Sequence, residues 1–217
     1  MTELDMFKTH NPQVRQFAQF SPENMEQVFA FIQASIREGT YKLYEMMALW
    51  RQLGLSYDRL TWGNKGDAMK HIDSHRNEIY KDIMKAIRSR KHVTHKIIDI
   101  VSDIPGFGVP KAGFASQLIH GSGGCLDVHN KKMYGITDNF DVNKVSPQLK
   151  AKRIDNYVIV CNNLGGARKL WDVWCTFVAN KYPKHFESPE VVSKLHVDCL
   201  YWPIVKVDNG SPENFKR

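Results

Sequence analysis

Three Ser-Pro pairs, beginning at Ser21, Ser146 and Ser188, each stand directly before a run whose apolar residues recur at three- and four-residue spacing. A serine oxygen caps first-turn amides and proline is preorganised for the first helical position, so each pair predicts a helix start. The first run, "SPENMEQVFAFIQASI", places Met25, Val28, Phe29 and Ile32 on one face. "SPQLKAKRIDNYVIVCNNLG" and "SPEVVSKLHVDCLYWPIV" repeat the opening, and between them "ARKLWDVWCTFVANKYP" carries Leu170, Trp174 and Phe177 on one stripe. The same period runs through "TYKLYEMMALWRQLG", "NEIYKDIMKAIRSR" and "HKIIDIVSDIP", the last of which stops at Pro105. Eight or more helices and little sheet follow, an all-α chain. The 217 residues suffice for one core or two small lobes, and no repeat, low-complexity segment or linker divides them. "GLSYDRLTWGNKGDAMKH" is the longest irregular stretch and therefore a candidate functional loop.

Bulk properties exclude several classes. A hydrophobic content of 42% argues against disorder. No apolar run approaches the ~20 residues that span a bilayer, and "MTELDMFKTH" is neither a signal peptide nor an Arg-rich transit sequence. A soluble cytoplasmic protein is expected, in the host cytoplasm if the chain is viral, and a monomer with no membrane partner. Cys125, Cys161, Cys175 and Cys199 form no C-x-x-C pair and no tight cluster, which predicts free thiols and no iron–sulfur cluster or zinc ribbon. A formal charge of +7 and an isoelectric point near 9.2 favour a polyanionic partner without naming one.

The stretch "IPGFGVPKAGFASQLIHGSGGCLDVHN" is the most informative. An apolar helix ending at Ser102 runs into "IPGFG", and Val109-Pro110 opens the next helix, so Gly106 and Gly108 lie in a helix-to-helix hairpin. Without a Cβ at either glycine, the amides of Gly106, Gly108 and Val109 can approach another backbone, and the helix N-terminus beyond them favours an anion such as phosphate. A plain packing turn would use glycine in the same way.

This order of elements resembles the helix-hairpin-helix DNA glycosylase superfamily. There an apolar helix leads into Leu-Pro-Gly-Val-Gly, an alanine follows on the second helix, and an Asp-x-His comes after it; here the matching residues are "IPGFGVPKA" and "LDVHN". The resemblance is sharp over residues 97–136, with the hairpin motif itself at 96–120. It implies a glycosylase-like helical fold over 1–217, in a compact, phage-type member without the iron–sulfur cluster. It also implies a DNA phosphate held by the backbone around Gly106, Phe107, Gly108 and Val109. The carbonyls of Ser102, Ile104 and Phe107 would take a monovalent cation, no other cofactor being required. Asp127 would be the catalytic carboxylate facing an extruded base.

The sequence departs from that pattern at Pro110, where strand-cutting members carry a lysine whose amine forms a Schiff base with the sugar. Lys111 is next in line, but successive helical residues point about 100° apart. It is a candidate Schiff-base nucleophile only in a shifted register, and otherwise a phosphate or substrate contact. Asp127 is also well suited to cap the short helix after it. His129 could orient Asp127 or a phosphate. Arg88, Arg90, Lys91 and Lys131 are candidate DNA-backbone contacts, and Tyr57 and Trp62 candidate stacking partners for a displaced base.

The first functional reading is a monofunctional base-excision glycosylase acting on an altered base turned out of DNA. The second keeps the fold and changes the reaction: phage-encoded relatives are implicated in thymine hypermodification, where an amine displaces pyrophosphate from an activated 5-hydroxymethyluracil. A helix-hairpin-helix module that holds DNA without chemistry is the third, and it has no need of Asp127.

Overall fold

The structure is a computed structural model and describes residues 21–35, 64–184 and 186–193. Among these residues it is all-α, with seven helices and no strand. They are α1 (Pro22–Ala34), α2 (Asn64–Arg88), α3 (Val93–Ser102), α4 (Val109–His120), α5 (Val128–Met133), α6 (Pro147–Asn163) and α7 (Gly166–Lys181). Residues 189–193 are helical as well.

The Ser-Pro openings behave as their chemistry dictates. Ser146 caps α6 by accepting from the Leu149 amide at 3.3 Å, and Ser188 accepts from the Val191 amide at 3.4 Å. On α1 the four residues read as one face, Met25, Val28, Phe29 and Ile32, are all buried. Each such side chain contributes roughly 1.5–3 kcal/mol when fully withdrawn from water.

The stretch read as irregular is helical from Asn64 onward, so α2 begins well before "NEIYKDIMKAIRSR". Its first turns are mostly polar, but Ala68, Met69 and Ile72 recur at helical spacing and are buried, continuing the face formed by Ile79, Ile83 and Ile87. An Arg76–Glu26 pair at 2.9 Å, its carboxylate buried and its guanidinium partly exposed, ties α2 to α1. Tyr57, Trp62, Cys199 and the helix expected in "TYKLYEMMALWRQLG" lie outside the described residues.

The core is one continuous cluster running from Met25 in α1 to Val192. The hairpin helices α3 and α4 sit at its centre: Ile97, Ile98 and Val101 of α3 and Ala112, Ala115 and Leu118 of α4 are inaccessible or nearly so. Helix α6 is tied to α3 by polar contacts, with Lys150 on Asp99 at 2.6 Å and on Asp103 at 2.7 Å, and His95 on Asp155 at 3.2 Å. No helix among the described residues is long and apolar enough to cross a membrane.

Candidate functional site

The turn between α3 and α4 is a compact chain of short-range bonds. The Asp103 amide donates to the Ile100 carbonyl, that of Ile104 to Val101 and that of Phe107 to Ile104, at 3.3, 3.1 and 2.9 Å. Gly106 adopts φ +78°, the left-handed region that L side chains enter at a cost, so the turn requires a glycine there. Gly108 is different. It is the N-cap of α4 in extended geometry, φ −97° and ψ 176°, and a Cβ on it would meet nothing nearer than Pro110 Cδ at 3.8 Å. The turn's backbone conformation therefore requires a glycine at 106, whereas at 108 there is only glycine's ordinary preference for an N-cap position.

Phe107 and Val109, expected at the DNA interface, bury their side chains, and the Phe107 ring packs edge-on against Phe29 with centroids 5.4 Å apart. Only their backbone is available to a ligand. Of the carbonyls expected to hold a cation, that of Ile104 accepts the Phe107 amide. The neighbouring Gly106 carbonyl accepts the ammonium of Lys111 at 2.5 Å, which also lies 5.8 Å from the centre of the Phe107 ring. One full positive charge is thus seated on the hairpin by the chain itself.

Asp127 is the N-cap of α5: its Oδ1 accepts from the Asn130 amide at 2.8 Å. Tyr157 of α6 and Asn130 of α5 itself set its position. Buried Tyr157 of α6 donates its hydroxyl to the Gly124 carbonyl at 2.6 Å and accepts from the Leu126 amide at 3.0 Å, clamping the extended segment that leads into Asp127. Asn130 fixes the other side by donating from Nδ2 to the Cys125 carbonyl at 2.7 Å.

Asp127 and Lys111 line the same cavity, of about 730 Å³. Pro110, Phe114 and Gln117 of α4 form one side of it, and His129 and Asn130 stand beside Asp127. The facing wall is α7, through Trp171, Trp174, Phe177 and Lys181. Trp171 and Trp174 lie 5.6 Å apart, and Phe114 is 6.3 Å from Trp174, so planar aromatic surface is clustered in the cavity that Asp127 also lines. Lys181 holds its ammonium 5.5 Å from the Phe177 ring. The size and the mixture of apolar walls with a few polar groups are those of a small-molecule pocket.

From the sequence, Tyr57 and Trp62 are the stacking candidates, and Leu170, Trp174 and Phe177 are no more than one stripe of a helix. The signal was its width. Leu170, Trp171, Trp174, Cys175, Phe177 and Val178 span about 160° of helix circumference, more than a core-facing stripe needs. Leu170, Trp171, Cys175 and Val178 are buried, while Phe177 remains 47% exposed.

The basic residues are distributed differently from their order in sequence. Arg88, Arg90 and Lys91 are exposed in the α2–α3 turn, at the opposite end of α3 from the hairpin, about 15 Å away along ten residues of helix. Lys131 is engaged locally, donating to the Asp138 carbonyl 5.0 Å above the Phe140 ring. Lys150 offsets the two acids beside the hairpin. Burial opposes its charge, yet the bonds to Asp103 and Asp99 hold its pKa above the ordinary lysine value.

Cys125, Cys161 and Cys175 are free thiols. Burial, followed by the charge of Asp127, pushes the cavity-lining Cys125 well up, and burial pushes Cys161 and Cys175 up to about 12. They are protonated at neutral pH and are not nucleophiles there. No group of three or more His, Cys, Asp or Glu side chains suited to a metal occurs among the described residues. Compared with protein-family models, curated proteins and solved structures, the chain matches none.

Proposed function

We propose that the chain is a DNA glycosylase-like enzyme that takes an extruded, altered base into the cavity between α4, α5 and α7. Asp127 acts on the sugar side of that base. The observation that carries this reading is the shared cavity: a carboxylate placed by three hydrogen bonds around it, aromatic walls, and at its edge a glycine hairpin whose helix N-terminus carries no side-chain cap. A base needs flat apolar surface to replace the stack it leaves. Positive charge developing on the sugar as the glycosidic bond breaks is stabilised by a fixed carboxylate in a site with little water.

Lys111 belongs to the phosphate side of this scheme. Its ammonium already rests on the Gly106 carbonyl, so it adds positive charge to the α4 N-terminus, where a DNA phosphate would bind. A monovalent cation on the carbonyls of Ser102, Ile104 and Phe107 would act in the same sense. The exposed Arg88, Arg90 and Lys91 would meet a phosphate further along the strand. The partner is then DNA and the step is hydrolysis of the glycosidic bond without strand cleavage.

Mass spectrometry of nucleosides from a panel of altered-base duplexes tests the reading. Release of a free base is the expected result. Addition of a group to an activated pyrimidine with the glycosidic bond intact would replace it by the transferase reading, and unchanged DNA that is nevertheless retained would leave a binding module.

A further inference from the structure

Gln117 is 2% exposed and lines the cavity from α4. Its Nε2 donates to the Ala167 carbonyl at 2.6 Å. A carbonyl only accepts, so this bond fixes which end of the carboxamide is nitrogen and which is oxygen. Oε1 takes no hydrogen bond from the described residues, yet it is not among the side-chain atoms sealed away without a partner. What little of the residue is accessible therefore includes this oxygen, on the side that forms the cavity. Asn130 repeats the arrangement nearer Asp127, its Nδ2 committed to the Cys125 carbonyl. Both amides keep their oxygens for a ligand.

Building on the base-extrusion reading above, we propose that Gln117 Oε1 accepts a hydrogen bond from a ring N–H on the Watson–Crick edge of the bound base. The site then prefers lactam and imide bases, of the uracil, thymine, hypoxanthine or guanine type. It rejects bases whose ring nitrogen is methylated or unprotonated. The preference follows from satisfiability. A buried acceptor is costly to leave unpaired, and a base lacking the N–H leaves it so. An exocyclic amine brings two N–H groups to one acceptor, whereas a ring N–H is matched one to one.

The test uses the full chain and short single-stranded oligonucleotides, followed by quenching of tryptophan fluorescence, since Trp171 and Trp174 line the cavity. Each oligonucleotide carries one central residue: uracil or 3-methyluracil, thymine or 3-methylthymine, hypoxanthine or 1-methylhypoxanthine, guanine or 1-methylguanine, or an abasic site. Bases that bind above the abasic control should lose about tenfold in affinity on N-methylation. Gln117→Met, which has similar volume and no acceptor, should abolish that difference. Gln117→Glu should keep it, because a protonated carboxyl donates to the Ala167 carbonyl and still offers an oxygen. Equal binding of each base and its methylated partner by the wild-type protein overturns the role of Gln117 and leaves the glycosylase reading standing. Discrimination that survives in a folded Gln117→Met protein overturns it too, since the methyl group is then excluded by shape. If no base binds above the abasic control, the base-extrusion reading fails and this inference with it.

Discussion

The ring of Tyr157 occupies the space that any side chain on Gly113 would need: a Cβ at 113 would fall 2.5 Å from Tyr157 Cε1 and 2.6 Å from the Gly124 carbonyl oxygen. This contact lets the tyrosine pass under α4 and clamp the segment that ends at Asp127. Gly113→Ala should push the ring or that segment aside and destabilise the fold by about 1–3 kcal/mol, as overpacking does. Tyr157→Phe keeps the ring and removes both hydrogen bonds, leaving a buried amide and carbonyl unpaired at a cost of about 1–3 kcal/mol. Urea unfolding measures both losses. In the folded fraction activity should fall as well, because Asp127 loses its support.

The two hairpin glycines should separate under substitution. Gly106→Ala places a side chain at φ +78° and should cost on the order of 1 kcal/mol of stability. Gly108→Ala meets no such strain and has room for its methyl, so it should lose only glycine's advantage over alanine at an N-cap, less than about 1 kcal/mol. If the Gly108 amide lies against a DNA phosphate, the same variant should weaken binding in a gel-shift titration while the fold stays intact. Normal DNA affinity in Gly108→Ala would reduce the hairpin to a turn.

Asp127→Asn tests charge apart from structure. Asparagine is as good an N-cap as aspartate, so stability should change by less than about 0.5 kcal/mol. Turnover on a verified substrate should fall by roughly a hundredfold or more, with DNA affinity unchanged or raised. Full activity in this variant would leave the carboxylate as a cap alone. Lys111→Ala should weaken DNA binding, and borohydride should trap no covalent adduct with the wild-type protein.

His120 provides a pH dependence of known sign. It closes α4 with Nδ1 2.8 Å from the Ser122 hydroxyl, and burial lowers its pKa from the usual 6.5. In the window below that value the unfolded chain takes up a proton that the folded chain resists, so this residue's contribution to stability is complete above it and is lost as the pH falls. Denaturant midpoints measured from pH 7.5 downward should decline through this range, and His120→Gln should flatten the decline. An unchanged slope in the variant would assign the effect to other groups.

The helices were legible in the sequence wherever an apolar face coincided with a stop or start signal. Ser146-Pro147 gave a cap and a boundary, and Met25, Val28, Phe29 and Ile32 gave a buried face. The first turns of α2 were hidden because their surface is almost wholly polar and their apolar face is set by packing against α1. Asp127 and Lys111 are reached only through the family resemblance, since both lie within the one local motif that carries it. Trp171, Trp174, Phe177 and Gln117 could not be reached even so, because the cavity forms only when α7 folds back onto α4, and nothing in "ARKLWDVWCTFVANKYP" separates a wall residue from a core residue except the excess width of the stripe.

Helix α7 presents two edges with separate obligations. Cys175 belongs to the interior alone, Leu170 and Val178 are buried yet reach the cavity wall, and Trp174, Phe177 and Lys181 follow one another along the cavity edge, with Phe177 still half open to solvent. Substitutions at Phe177 and Lys181 would alter this edge of the cavity with little effect on the core, whereas Trp174 packs against the core as well. If the cavity takes a base as proposed, this edge is a short strip on which the choice of base can diversify while the hairpin and Asp127 stay as they are.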